Sequence, residues 1–204
     1  NEKIIDIRDI NLTKNTISTF SPDIVFHLAA QPLVRESYFK PVDTWSTNVM
    51  GTISILEALR ELKTKVIFIG ITTDKVYQNR EWIYGYREND RLGGFDPYSS
   101  SKAASEFAIN SWKNSFAHKS KFLISTARAG NVIGGGDYAK DRIIPDIFRA
   151  IKENTVLNIR NPKSTRPWQH VLDPLWGYIL LAEKMNENSS CSDSYNFGPE
   201  YSSN

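Results

Sequence analysis

Two kinds of apolar run alternate along this chain. Asp23–Ala30 (DIVFHLAA), entered from Ser21-Pro22, and Lys65–Ile71 (KVIFIGI) are continuous rather than alternating. Continuity predicts strands buried on both faces, the condition of a parallel sheet. Between them Val49, Ile53, Leu56 and Leu59 recur at helical spacing over Thr44–Leu62, so the three segments read as a βαβ unit. Ile4–Ile7 predicts a short strand upstream, and Lys121–Ala127 a further one downstream. A second helix is predicted from near Tyr98, with Ala104, Phe107, Ala108, Ser111 and Trp112 on one face. The polar, Gly-containing stretch from Gln78 to Asp96 that precedes it is long enough to read as a functional or lid-like loop. Farther on, Gly134-Gly135-Gly136 requires a loop and Pro145–Glu153 resumes as a helix with proline in its first turn. Val156–Arg160 reads as a short strand and Pro174–Met185 as a final helix. The alternation predicts an α/β protein with a doubly wound parallel sheet over residues 1–130, followed over 131–204 by part of a smaller C-terminal α/β lobe.

Composition narrows the function classes. With 204 residues, 40% of them hydrophobic and 24% charged, the chain can bury a sizeable core, which excludes disorder. The 25 basic and 23 acidic side chains leave a net charge of +2 with no basic block, so neither nucleic acid nor an anionic membrane is an expected partner. The longest apolar stretches, Val66–Ile71 and Tyr178–Ala182, fall far short of the roughly 20 residues a membrane helix needs. Cys191, the single cysteine, cannot close an intramolecular disulfide and has no Cys or His at metal-ligand spacing. A reducing, cytoplasmic setting and the absence of a metal site are the expectations. The chain opens on Asn1 within a strand pattern and stops at Ser203-Asn204 after a Gly-Pro, so both ends read as cut from something longer.

The sharpest chemical signal is Tyr98-Ser-Ser-Ser-Lys102. Residues four apart near a helix start project from one face, so the ammonium can lie beside the phenol. A positive charge there favours the phenolate and predicts a tyrosine below its usual pKa of about 10, usable as a base. By itself this spacing is common, and a surface tyrosine beside a solvated lysine is the bland alternative. Thr72-Thr73-Asp74-Lys75 changes the odds, because it directly follows a buried strand and therefore lies at the carboxyl edge of the sheet, where ligands of open α/β folds collect. Asp74 and Lys75 can equally be an ordinary surface ion pair.

Six segments in order, DIVFHLAAQ, TNVMGT, TTDKVY, DPYSSSK, ARAGNVIGGGD and TRPWQHV, resemble the motif series of extended short-chain dehydrogenase/reductases that act on nucleoside-diphosphate sugars. Lysine after the aspartate, with GYRENDRLGG and IRNPKSTRPWQHV, is similar to the dehydratase branch whose substrate is CDP-glucose. The resemblance covers essentially the whole chain. It implies a Rossmann-like NAD-binding domain over 1–130, a partial substrate-binding lobe over 131–204, NAD as cofactor and a homo-oligomer paired through helices that include the Tyr98–Lys102 segment, with Phe107 and Trp112 exposed on them. It also implies roles. Tyr98 removes the proton of the sugar C4 hydroxyl, Lys102 binds the nicotinamide ribose and keeps Tyr98 ionised, and Thr73 hydrogen-bonds the same C4 oxygen. Asp74 protonates the departing C6 hydroxyl while Lys75 takes the C5 proton, a division of labour that elimination requires. Asp6 and Ile7 match adenine contacts, although Ile5 stands where glycine is common; Leu28, Ala29, Ala30 and Asn48 match other cofactor positions. Gln31, Arg35, Asn131, Arg142 and Arg166 match sugar or diphosphate positions, arginine being suited to phosphate by its planar fork. Arg128 is a weaker candidate, His27 reads as a buried, locally bonded residue, and Trp168 and His170 as wall or packing.

One element is missing from the pattern. No GxGxxG stands at a strand-to-helix turn, where backbone amides would meet a pyrophosphate. The resemblance implies that this turn lies outside these residues and that the chain alone binds NAD weakly. Two other readings share many of the same residues: an epimerase or decarboxylase of nucleotide sugars, which needs no elimination and so no Asp74-Lys75 couple, and a catalytically silent nucleotide-binding scaffold.

Overall fold

The structure, a computed structural model, describes residues 2–117 and 121–199. In chain order the first half comprises α1 (Ile10–Phe20), β1 (Ile24–His27), α2 (Val34–Phe39), α3 (Pro41–Trp45), a π-helical segment (Ser46–Met50), α4 (Gly51–Arg60) and β2 (Val66–Ile71). After a 3-10 turn at Asp74–Val76 come α5 (Pro97–Phe116), β3 (Phe122–Ala129), β4 (Val132–Ile133), α6 (Ile143–Glu153), β5 (Gln169–His170), α7 (Leu172–Glu187) and β6 (Ser194–Phe197). The main sheet is parallel in the order β1-β2-β3-β6, and β4 pairs with β5 in a separate small sheet.

The continuous apolar runs have the expected cause. Val66, Phe68, Phe122 and Ile124 point to one face, against Ile55, Leu56 and Leu59 of α4 and Ile109 of α5. The alternate residues Ile67, Ile69, Ala127 and Ala129 point to the other, against Tyr178, Leu181, Ala182 and Met185 of α7. Successive strand side chains face opposite ways, so a strand covered on both faces is apolar on both, as β2 is, whereas β3 buries Ser125, Thr126 and Arg128 toward its carboxyl end. The doubly wound parallel sheet follows from this. Within 131–204, α7 and β6 return to the main sheet, whereas β4 and β5 form their own pair.

Two predicted strands do not form. Ile4–Ile7 is irregular: β1 pairs with β2 alone among the described strands, so no ladder runs beside these residues, and Ile4 is fully solvent-facing. Ile7 instead packs against α4, where a Cβ on Gly51 would lie 2.5 Å from its Cδ1. Val156–Arg160 is likewise irregular and finds no partner strand. Conversely β6 was not expected, because Ser194–Phe197 is half polar and lacks an apolar run. The helix expected over Thr44–Leu62 exists as α3, the π segment and α4 end to end. Among the described residues no helix is long and apolar enough to cross a membrane.

Candidate active site

β2 ends at Ile71 and delivers Thr72 and Thr73 to the carboxyl edge of the sheet. Thr73 is extended and caps the 3-10 turn that follows. Its hydroxyl donates to Asp74 Oδ1 at 2.9 Å and accepts the Lys75 amide at 3.4 Å. Lys75 Nζ donates to the same Asp74 oxygen at 3.0 Å, both side chains being about one-third exposed. Asp74 and Lys75 are thus an ion pair, but one tied into the strand end through Thr73.

The second half of the site comes from the start of α5. Asp96 caps it by accepting the Ser99 amide at 3.0 Å and the Ser99 hydroxyl at 2.6 Å, and Pro97 occupies the first helical position. The Tyr98 amide, another of the unsatisfied donors of a helix start, donates to the buried Ser37 hydroxyl at 3.2 Å. These bonds fix where the Tyr98 side chain leaves the helix. Its phenol lies near the Thr73 hydroxyl, which favours the ionised form, with Asp74, Asp96 and Arg142 close enough to bias its ionisation. Tyr98 is thus brought to the same sheet edge as the hydrogen-bonded group Thr73, Asp74 and Lys75.

Lys102 lies one turn along α5, buried, with Nζ donating to the Ile71 carbonyl at 3.1 Å. Its ionisation reverses the expectation drawn from the sequence. Burial lowers the lysine to about 8, opposed by Glu106, and raises Tyr98 to about 12, opposed by the Thr73 hydroxyl. The lysine therefore does not draw the phenol below its ordinary range. Desolvation outweighs proximity here.

On the cofactor side, Leu28 and Ala29 are exposed at the end of β1 and Ala30 is half-buried, leaving an open ledge. Asn48 is buried in the π segment with its polar atoms engaged inside the protein. Nδ2 donates to Ser101 Oγ at 2.8 Å and to the Gln31 carbonyl at 3.2 Å, while Oδ1 accepts the Gln31 amide at 2.8 Å. It fastens the β1 loop to α5 rather than facing a ligand. The Gln31 amide is also occupied, with Nε2 on Thr44 Oγ1 at 2.8 Å and Leu33 O at 3.2 Å. Asp6 is exposed and gripped by Arg8, whose hydrogen bonds hold the carboxyl down at about 2; Ile7 serves the core.

On the substrate side, Arg142 pairs with Asp137 at 3.0 Å and still acts on Tyr98. Arg35 pairs with Asp141 at 3.1 Å on the surface. Arg166 is exposed, donating to the Thr165 carbonyl at 2.7 Å. Asn131 Oδ1 is buried and has no hydrogen-bond partner among the described residues. Arg128 is not free for a ligand: it is buried in an ion pair with Glu106. His27 is buried against Thr52 Oγ1 at 2.9 Å, and Trp112 is half-buried against the core, leaving Phe107 as the exposed aromatic of that face. Ser37, Ser101 and Glu106 carry no role in the sequence pattern, and Thr72 enters it only as the first member of the Thr72–Lys75 run. Only Glu106 had a signal there, standing four residues beyond Lys102 on the same helix face.

Comparison with known proteins extends the picture. The chain is 51% identical to CDP-glucose 4,6-dehydratase of Salmonella typhimurium over 95% of its own length and 56% of that relative's. It is 28% identical to dTDP-D-glucose 4,6-dehydratase of Dictyostelium discoideum over 96% of this chain and 45% of that one. It thus spans about half the length of these relatives. Among solved structures it superposes on DesIV from Streptomyces venezuelae, a dTDP-glucose 4,6-dehydratase crystallised with NAD, with a TM-score of 0.81 at 20% identity over 95% of this chain and 56% of that one. At that identity the likeness speaks for the fold. The family model described as GDP-mannose 4,6 dehydratase matches residues 3–196, and the chain accordingly belongs to that family.

Proposed function

We propose that the whole protein is an NAD-dependent nucleotide-sugar 4,6-dehydratase that converts CDP-glucose to CDP-4-keto-6-deoxyglucose and water. The observation that carries this reading is the placement of Tyr98 with Thr73, Asp74 and Lys75 on one edge of the sheet, with Lys102 beneath them. The name of the 51% identical relative supports CDP-glucose as the substrate.

The ledge of Leu28 and Ala29 and the amine of Lys102 suit a dinucleotide, Ala30 flanking it, with Asn48 acting through Gln31 and Ser101. When bound, oxidised NAD would supply the hydride acceptor for C4 and a positive ring that favours a phenolate nearby. Tyr98 then takes the C4 hydroxyl proton, with Thr73 directing that oxygen. A ketone at C4 acidifies C5, and the Asp74–Lys75 couple serves the elimination. Transfer of a proton from Lys75 Nζ to Asp74 across their 3.0 Å contact yields a neutral amine and a carboxylic acid in one step. Exclusion of water by the sugar favours that neutral pair over two ions. Lys75 removes the C5 proton and Asp74 protonates the C6 hydroxyl, which leaves as water; C6 of the resulting 5,6-alkene then takes back the hydride removed from C4 while C5 recovers a proton from the Lys75 ammonium, which gives the 4-keto-6-deoxy sugar with the cofactor reoxidised. Asn131, Arg142 and Arg166 are assigned to the diphosphate and sugar, while Arg35 and Gln31 flank the entrance; Asp6 and Ile7 belong on the adenine side.

Incubation with CDP-, dTDP-, GDP- and UDP-glucose, followed by mass analysis, tests the reading. Loss of one water from CDP-glucose ahead of the others is expected. Faster loss from another nucleotide would overturn the nucleoside assignment, and a C4-inverted product of unchanged mass would mean an epimerase. A cytoplasmic homo-oligomer fits the same reading, two copies meeting through α5 with Phe107 and the neighbouring Val42, Trp45 and Met50 exposed; a monomeric mass in sedimentation would reject the pairing.

A further inference from the structure

The Glu106–Arg128 pair is only 2% and 4% exposed. One oxygen of the Glu106 carboxylate accepts the Thr72 hydroxyl and Arg128 Nε at 3.0 Å; the other accepts the Thr126 hydroxyl at 2.9 Å and Arg128 Nη2 at 2.8 Å. Thr72 stands between Ile71, whose carbonyl holds Lys102, and Thr73, whose hydroxyl donates to Asp74 and lies near Tyr98. The remaining Arg128 nitrogen, Nη1, donates to the Tyr77 phenol oxygen at 2.8 Å and to the Glu88 carbonyl at 2.8 Å. Tyr77 gives its own proton to Asn196 Oδ1 at 2.6 Å, and Asn196 in turn donates to Glu88 Oε1 at 2.9 Å and to the Tyr86 carbonyl at 3.0 Å. One buried pair thus joins the end of β2, α5, β3, β6 and the loop from Gln78 to Asp96.

Stability does not account for such a pair, because well-packed apolar residues in its place are commonly as stable or more so. What an apolar pair cannot supply is direction, which the guanidinium provides through donors fixed in one plane. We infer that Glu106 and Arg128 are positioning residues for the reaction proposed above: they fix Thr72, and through it the Lys102 anchor and the Thr73–Asp74–Lys75 couple, while docking the Gln78–Asp96 loop beside them. The inference rests on the dehydratase reading for its chemistry and on the hydrogen bonds alone for its mechanics.

The test is the double variant Glu106→Met/Arg128→Met in the whole protein. It is expected to fold with a melting temperature near the native one, to lose about 100-fold in kcat and to keep KM for the nucleotide sugar within about threefold, as a displaced but still binding site would. Hydrogen exchange should rise together in residues 72–76 and 78–96 and stay unchanged in α4. Arg128→Lys, which keeps the charge and loses the fork, should show the same two changes to a smaller degree, and it decides the matter should the double variant not fold. Native kcat in a folded variant, or reduced kcat without the paired rise in exchange, overturns the inference. If the native protein dehydrates no nucleotide sugar, the functional reading fails by itself, and the exchange of the two segments still decides whether the pair holds them.

Discussion

Tyr98 and Lys102 illustrate how little spacing alone says about ionisation. They share a helix face, yet burial pushes the phenol up to about 12 and the amine down to about 8. The phenolate is scarce near neutrality until a ligand brings positive charge, so proton abstraction is coupled to a filled site. Tyr98→Phe should lower turnover by roughly 100- to 10,000-fold, the usual contribution of one acid–base group, while equilibrium dialysis finds nucleotide-sugar binding retained. Unchanged turnover removes Tyr98 from the mechanism. Asp74 and Lys75 look like a surface pair by sequence, and their significance lies in the neighbouring Thr73, which is near the phenol.

The start of α5 is the element on which the site depends. The sequence predicts a helix from near Tyr98; Asp96 caps it and Pro97 takes its first position. Less legible is Gly94: a Cβ there would lie 2.3 Å from the Ser100 amide nitrogen and 2.5 Å from the Ser99 carbonyl carbon. Backbone cannot yield as a flexible side chain can, so Gly94→Ala should displace the loop from the helix start and depress kcat, measured against Gly135→Ala, where the added methyl meets nothing within 4 Å. Equal activity of the two variants would show that the loop does not set the site. Removing the cap in Asp96→Ala should cost about 1 kcal/mol in urea denaturation.

At the scale of the whole molecule the acid limb of stability is set in part by His27. Burial holds its pKa down at about 3 from an ordinary 6.5, with Lys102 nearby adding to the effect. Above about 6.5 the ring is neutral whether folded or unfolded, and its contribution is intact. As pH falls below that value the unfolded chain takes up a proton that the folded one refuses until about 3, so stability is lost progressively across this window. Urea midpoints of the native protein and His27→Gln should therefore converge or cross as pH drops from 7 to about 4, the native falling faster. A constant difference between them would mean that His27 is protonated at little cost in the fold.

The doubly wound sheet was legible in the amino-acid sequence, since strands covered on both faces leave continuous apolar runs, as at Val66–Ile71, and Thr73, Asp74, Lys75, Tyr98 and Lys102 stood out through their positions after a buried strand and near a helix start. Which polar residues are already engaged inside the protein became visible only in the fold. Asn48, Gln31 and Arg128 carry the right chemistry for a site but spend it on partners 2 to 53 positions away in the chain, and Ile4–Ile7 has no neighbouring strand among the described residues. Local pattern fixes what a segment can become, whereas hydrogen-bond partners and burial depend on which distant segments arrive beside it.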